Sequence, residues 1–177
     1  MIPQLQTERL VLRGLKQEDF EAYARFHEDP EVVRYLSGNP VSRSDAWRSL
    51  AVMVGHWILR GYGMWAVERK SDGVFLGRVG LWNPEGWVGL EVGWTLAREF
   101  WGQGYATEAA RAAMDFAFLT QDISRLISVI DIGNLASQRV AARLGETRGE
   151  RRVIEFQGKS FTADVWSIAR EDWARRR

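Results

Sequence analysis

A chain of 177 residues with 46% hydrophobic and 27% charged residues has the balance of a globular protein, with apolar surface enough for one sizeable core. A formal net charge of +1 offers no field to draw nucleic acid or an anionic membrane, and the basic spots at Arg151-Arg152 and Arg175 to Arg177 read as solvated surface. The absence of cysteine excludes disulfides, thiolate nucleophiles and Cys-ligated zinc together, and fits a reducing compartment.

No apolar run approaches the roughly 20 residues that span a bilayer, and Met1 to Arg9 lacks the basic-then-apolar order of a secretory signal. A cytoplasmic protein is expected. With no repeat, low-complexity tract or linker, residues 1–177 read as a single domain. Thr7 to Leu15 alternates as a strand, and Lys16 to His27 places Phe20, Tyr23, Ala24 and His27 at helical spacing. Pro30 suits a first helical turn, so Glu31 to Leu36 is a short helical piece. Ser42 or Ser44 can cap a longer helix to about Arg60, with Trp47, Leu50, Val54, Trp57 and Ile58 on one face, ended by Gly61. Tyr62 to Arg69, Val74 to Asn83 and Trp87 to Leu96 are strands, the first two joined by Ser71-Asp72-Gly73. Gly104 to Thr120 is a helix, Arg125 to Ile132 a strand and Asn134 to Leu144 a helix. Strands Thr147 to Phe156 and Ser160 to Arg170 follow, joined by Gln157-Gly158-Lys159. This order requires an α+β fold: a mainly antiparallel sheet with helices on both faces.

The informative stretch runs from Leu90 to Ala109: a strand, a short turn, Gly102-Gln103-Gly104, then a helix. Glycines let the backbone curl there, and the first helical N–H groups have no intrahelical partner, so the segment is suited to an anion such as a pyrophosphate. Ala106, Ala109, Ala110, Ala113 and Ala117 let the helix axis lie close to the sheet. A nucleotide P-loop requires Gly-Lys-Ser/Thr at the helix start, and no such triplet occurs. A dinucleotide turn sets its glycines directly after the strand, with a third Gly or Ala. Here Ala97 to Trp101 intervene and Thr107 holds the third place.

Trp101-Gly102-Gln103-Gly104-Tyr105-Ala106 resembles the Gln/Arg-x-x-Gly-x-Gly/Ala loop of the GNAT N-acetyltransferase superfamily from its fourth position on, with Trp in the first slot. Phe100 to Ala109 resembles the ribosomal-protein N-terminal acetyltransferase branch, RimJ/RimL-like, nearly residue for residue. Thr7 to Arg13, Glu91 to Trp94, Asn134 to Gly145 and Asp164 to Ile168 are similar to the same branch. The resemblance implies a sheet splayed at the acyl-CoA site, acetyl-CoA as co-substrate and no metal. Trp94, Thr95 and Leu96 match the pantetheine-pairing strand; Trp101, Gly102, Gln103, Gly104, Tyr105, Ala106 and Thr107 match the pyrophosphate loop; Asn134 and Arg139 match the helix beside the pantetheine. Asn134 is also a favoured N-cap, and both uses are compatible because the cap leaves its amide nitrogen free.

Transfer of an acetyl group to an amine requires a neutral amine, help for the oxyanion and a proton for the departing thiolate. Many superfamily members have an acid Tyr about seven residues after the Asn, where Ala141 stands, and a Phe after the helix-ending Gly, where Glu146 stands. The branch substitutes a Ser three residues after the Asn, matched by Ser137, whose bland alternative is local backbone bonding. Glu91 is the base candidate: it sits between Gly89 and Gly93 on the strand face opposite Val88, Leu90, Val92, Trp94 and Leu96. Its alternative is an ion pair with Arg78 or Arg9. Asp164 reads as an Arg partner, His27 and His56 as satisfied helix-face residues, and Trp47 and Trp57 as core. Tyr35, Trp82, Trp87 and Trp166 are candidates for lining a groove. The expected partner is an amine acceptor, a protein N-terminus or a small molecule, bound in loops Glu28 to Arg43, Asn83 to Gly86 and Gln157 to Ser160. Neither nucleic acid nor membrane is expected, and a homodimer is compatible. A longer donor such as succinyl-CoA and a catalytically silent CoA-binding sensor stand as alternatives.

Overall fold

The computed structural model describes residues 1–156 and 158–176. The turn expected at Gln157-Gly158-Lys159 lies partly outside these residues, as does the end of the Arg175 to Arg177 cluster. Strands β1 (Leu5–Gln6) and β2 (Leu10–Arg13) lead into helices α1 (Phe20–Glu28), α2 (Pro30–Val33) and α3 (Arg43–Arg60). Then follow β3 (Met64–Arg69), β4 (Phe75–Trp82), β5 (Glu91–Leu96), α4 (Tyr105–Thr120), β6 (Arg125–Asp131) and α5 (Leu135–Leu144). The chain ends with β7 (Thr147–Phe156), β8 (Lys159–Ala169) and α6 (Arg170–Ala174). The strands form one mixed sheet of order β1-β2-β3-β4-β5-β6-β8-β7, antiparallel throughout except between β5 and β6, which α4 connects. No described helix is long and apolar enough to cross a membrane.

Helices cover both faces, as the alternation predicts. Along β3, Trp65 and Val67 enter one cluster with α4, while Met64 and Ala66 enter a second with α1 and α3. Fully buried Ala109, Ala110, Ala113 and Ala117 bring α4 close to β4 and β5. Ser42 caps α3 by accepting from the Asp45 N–H at 3.1 Å, and Gly61 ends it in the left-handed conformation (φ 74°).

The departures are local. Trp57 is core, its indole donating to the Met64 carbonyl at 2.9 Å, but Trp47 is 46% exposed and Ile58 79% exposed, because the buried stripe of α3 runs through Leu50, Met53 and Trp57. The third central strand starts at Glu91 rather than Trp87: the Pro84 carbonyl takes the Trp87 N–H at 3.1 Å, closing a turn that ends the β4–β5 ladder. The last strand stops at Ala169 and an unexpected α6 follows. There Arg170 donates to the carbonyls of Phe118 in the last turn of α4 and of Gln121 and Ile123 beyond it, and the Trp173 indole donates to Asp115 at 2.9 Å.

Candidate active site

The site begins where two strands part. β5 pairs with β4 over its whole length, from Trp82↔Glu91 to Gly77↔Leu96, yet meets β6 only at Glu91↔Ile127. Antiparallel alternation turns the main-chain groups of Trp94 and Leu96 toward this open edge. The gap is a groove of about 470 Å³ lined by Trp94, Thr95 and Leu96, by the loop before α4, and by the first turns of α5. One edge group is already used: the Trp101 indole donates to the Leu96 carbonyl at 2.8 Å, so the Trp in the loop's first slot ties loop to strand.

Gly102 (φ 73°) and Gly104 (φ 82°) are left-handed, which an L side chain adopts only with strain. The resulting curl leaves the N–H groups of Gly102 and of Gly104 to Thr107 without an acceptor among the described protein groups, at the amino end of the α4 dipole. Trp101, Gly102, Gly104, Tyr105, Ala106 and Thr107 line the groove, as do Asn134 and Arg139. Gln103 does not: its amide turns back to the Glu99 carbonyl at 3.0 Å. The Tyr105 ring is buried, with the Arg9 guanidinium 4.4 Å over its centre.

A clamp that sequence reasoning missed holds this loop. Glu108 accepts from the Thr7 hydroxyl (2.6 Å), the Arg9 N–H (2.8 Å) and the Arg9 guanidinium (2.7 Å), and Arg9 also donates to the Gln103 carbonyl (3.0 Å). Burial alone would raise the Glu108 carboxyl; these hydrogen bonds hold it below its ordinary range. The pairing of the Thr7-to-Arg13 and loop segments was the available signal, but nothing in sequence spacing shows that they touch.

A second cavity, of about 410 Å³, opens on the other side of β5 and shares Tyr35, Leu36, Trp94, Thr95, Asn134 and Ser137 with the groove. Glu91 lines it. Its carboxylate accepts from the Trp87 indole at 2.7 Å and from the Val129 N–H at 3.1 Å, so it is hydrogen-bonded to neither Arg78 nor Arg9. Burial pushes it up to about 7, against the pull of those two bonds and of the Arg78 charge. Ser137 sits at the junction. Its hydroxyl oxygen accepts from the Trp94 indole at 3.2 Å, leaving its own proton to donate, and its N–H donates to the Asn134 side chain at 3.1 Å, the expected N-cap.

Tyr35, Trp82 and Trp87 line the second cavity, but Trp166 does not; it packs with Ile130 and Ala141 in a third cluster. The loop at 35–41 contributes through Tyr35, Leu36, Ser37 and Val41, and the β7–β8 hairpin through Phe156, Lys159 and Phe161, while residues 83–86 do not line it. Lys159 joins the two contributors by donating to the Ser37 carbonyl at 2.7 Å. His27 is buried and donates to the Tyr23 carbonyl, with burial lowering it to about 4. His56 bonds the Tyr62 carbonyl through Nδ1 and accepts the Asn83 N–H at Nε2, so both are neutral, satisfied residues. Asp164 pairs with Arg151 and Arg148, which hold it below the usual carboxylate range.

Glu146, standing where the family pattern has Phe, is a buried carboxyl beneath the site. Its Oε1 lies 3.0 Å from the Ser128 hydroxyl, which also reaches the Val92 carbonyl at 2.8 Å; its Oε2 has no partner among the described residues. Ser128 has one proton, so both contacts are satisfied when Glu146 is itself protonated and donates. Burial pushes it up to about 8, and the Glu91 charge adds to the rise. A raised carboxyl favours the folded state at low pH, and that advantage is lost as pH climbs from its unfolded value near 4.5 through about 8. Glu146→Gln is therefore expected to raise Tm by several degrees at pH 8.5 and little at pH 5, read from thermal melts across that range.

The sequence profile described as "Acetyltransferase (GNAT) domain" matches residues 9–147. Bacillus subtilis YkkB, itself uncharacterized, is 36% identical over 150 residues, 80% of this chain and 83% of that one. The FsC-acetyl coenzyme A-N(2)-transacetylase of Aspergillus fumigatus is 30% identical over 195 residues, 98% of this chain and 79% of that one. The crystal structure of an acetyltransferase from Agrobacterium tumefaciens superimposes with a TM-score of 0.82 at 30% identity, covering 95% of each chain. The parted strands, the glycine loop of unpaired N–H groups and these likenesses agree: the chain belongs to the GNAT acetyltransferase family and is an acetyl-CoA-dependent N-acetyltransferase.

Proposed function

We propose that residues 1–177 act as one domain that acetylates a primary amine by direct attack, in the RimJ/RimL-like manner, with Glu91 as base and Ser137 as acid. The observation that carries this reading is the junction of the two cavities at Trp94, Thr95, Asn134 and Ser137, with Glu91 on the acceptor side and the amide-rich loop on the other. The residues present fit the co-substrate. The N–H groups of Gly102 and of Gly104 to Thr107, with Arg139 and Arg143, suit a diphosphate, and the unpaired edge of Trp94 and the Leu96 N–H suit an amide-bearing chain.

Acetyl-CoA supplies an activated acyl carbon and a thiolate leaving group; the remaining work falls to the protein. Glu91, anchored by Trp87 and Val129, takes the amine proton directly or through one water, and its elevated proton affinity poises it near neutral pH. Ser137, oriented by the Trp94 indole, offers its hydroxyl proton toward the departing sulfur and takes one back from water, while Glu91 releases the amine proton to water. The free nitrogen of the Asn134 side chain, whose oxygen is fixed by the cap, adds a donor at the same point. Direct transfer agrees with a chain that has no cysteine to carry an acyl group.

Incubation with acetyl-CoA and a panel of N-terminal peptides and small amines is expected to release free thiol. Tight CoA binding without release from any amine would instead mark a sensor. Below pH about 7, kcat/KM for an amine should fall roughly tenfold per unit as Glu91 protonates. Glu91→Gln should remove that limb and lower kcat by about 10²–10³, and an unchanged profile would refute the assignment. Ser137→Ala should lower kcat about tenfold with CoA affinity kept within about twofold; equal loss of both would make it structural. Gly104→Trp, which strains the left-handed position and crowds the loop, should raise the acetyl-CoA KM at least about tenfold, and unchanged kinetics would refute the placement of the loop.

A further inference from the structure

The acceptor cavity contains a cation that forms no ion pair among the described residues. Arg78 lies on β4 directly opposite Thr95 of β5, one of the residues shared by the two cavities, and lines the acceptor side. Its Nη1 donates to the Met53 sulfur at 3.0 Å, and its Nε is buried with no partner among the described residues. Among the described residues no carboxylate pairs with it. Glu91, whose charge it senses, gives its hydrogen bonds to Trp87 and Val129, and His27 beside it is occupied by the Tyr23 carbonyl. Asp45, the acidic lining residue on α3, bonds Arg48 and Ser42, and Asp131 on β6 accepts the Gly133 N–H. A guanidinium presents five N–H donors in a planar fork matched to an oxyanion. Leaving it half-buried against a thioether is costly unless a ligand completes it.

We propose that Arg78 is the acceptor anchor: it binds a carboxylate carried by the amine substrate, so that the acceptor is a small primary amine bearing its own carboxylate within a few bonds of the nitrogen. The inference rests on the acetyltransferase reading and narrows its substrate class. Three observations set the size and spacing. The cavity of about 410 Å³ holds a small molecule. Arg78 and Thr95 are paired across β4 and β5 and so leave the sheet on the same face, with the guanidinium reaching out to Met53 on α3; an anion held there sits off the sheet, and the nitrogen it carries reaches back to the junction. Glu91 then faces the nitrogen end from farther along β5. The fixed positive charge also favours the neutral, attacking form of a nearby amine over its ammonium form.

The test compares free amino acids with the same amino acids as carboxamides, and peptides opening on an acidic residue with their neutral counterparts, by thiol release from acetyl-CoA. For the wild-type protein, kcat/KM for the acids is expected to exceed that for the carboxamides at least about 30-fold. Arg78→Met should collapse that ratio at least about tenfold, and Arg78→Lys should restore part of it. If only the acidic peptides show the dependence, the carboxylate is read from a side chain rather than a free amino acid, and the small-molecule commitment is overturned. Equal turnover of acids and carboxamides in the wild type would overturn the anchor outright without needing any variant. Turnover of neutral amines alone would sink this inference and leave the acetyltransferase reading intact, whereas failure to bind acetyl-CoA would sink both.

Discussion

The separation of β5 from β6 after a single pair of residues governs the rest of the molecule. A continuous ladder there would satisfy the main-chain groups of Trp94 and Leu96, close the sheet and leave no groove. Because the ladder stops at Glu91↔Ile127, one face of the gap receives the loop and the start of α4, and the other receives the loop at 35–41 and the β7–β8 hairpin. The polar groups that a sheet would pair internally become the lining of a site. The unpaired edge is tolerated because it is short and because the Trp101 indole takes one of its carbonyls.

The same opening explains the chemistry of the carboxyl groups. Glu91 sits at the last point of contact between the strands, where a ladder amide and an indole fix its orientation but no cation neutralises it. Glu146 lies deeper, linked to the site through Ser128 and the Val92 carbonyl. Two carboxyls that sense each other in a poorly solvated region cannot both ionise freely. The buried one therefore keeps its proton near neutrality while the cavity-lining one titrates close to neutral pH.

Local chemistry made much of this legible in the sequence. The two glycines before a helix, the period-2 face carrying Glu91, Asn134 as an N-cap and the alanine stripe of α4 each depend on near neighbours in the chain, and each stands where spacing puts it. What could not be read depends on distant partners. Nothing near Glu108 announces Thr7 and Arg9, nothing in Leu144-Gly145-Glu146 announces Ser128, and the role of Trp101 appears only once the Leu96 carbonyl lies above it. Side-chain orientation within the periodic stretch was equally hidden: Trp47 and Ile58 share the α3 pattern but lie exposed beside the buried stripe through Leu50, Met53 and Trp57. The C-terminal helix is too short for periodicity to show, and Arg170 and Trp173 dock it onto α4 instead.

The Thr7–Arg9 to Glu108 clamp spans 99 to 101 positions of sequence. The curvature of the glycine loop is thus no local property of Trp101 to Thr107; it is completed only when the opening segment of the chain has returned to the middle. Removing that segment deletes no lining residue of either cavity, yet it frees the loop that frames one of them, so truncation at the amino end acts as an active-site lesion at a distance. Contacts of such high order also form late in folding. A ribosome-bound fragment ending before Glu108 therefore already contains the glycines but not the shape they are meant to hold.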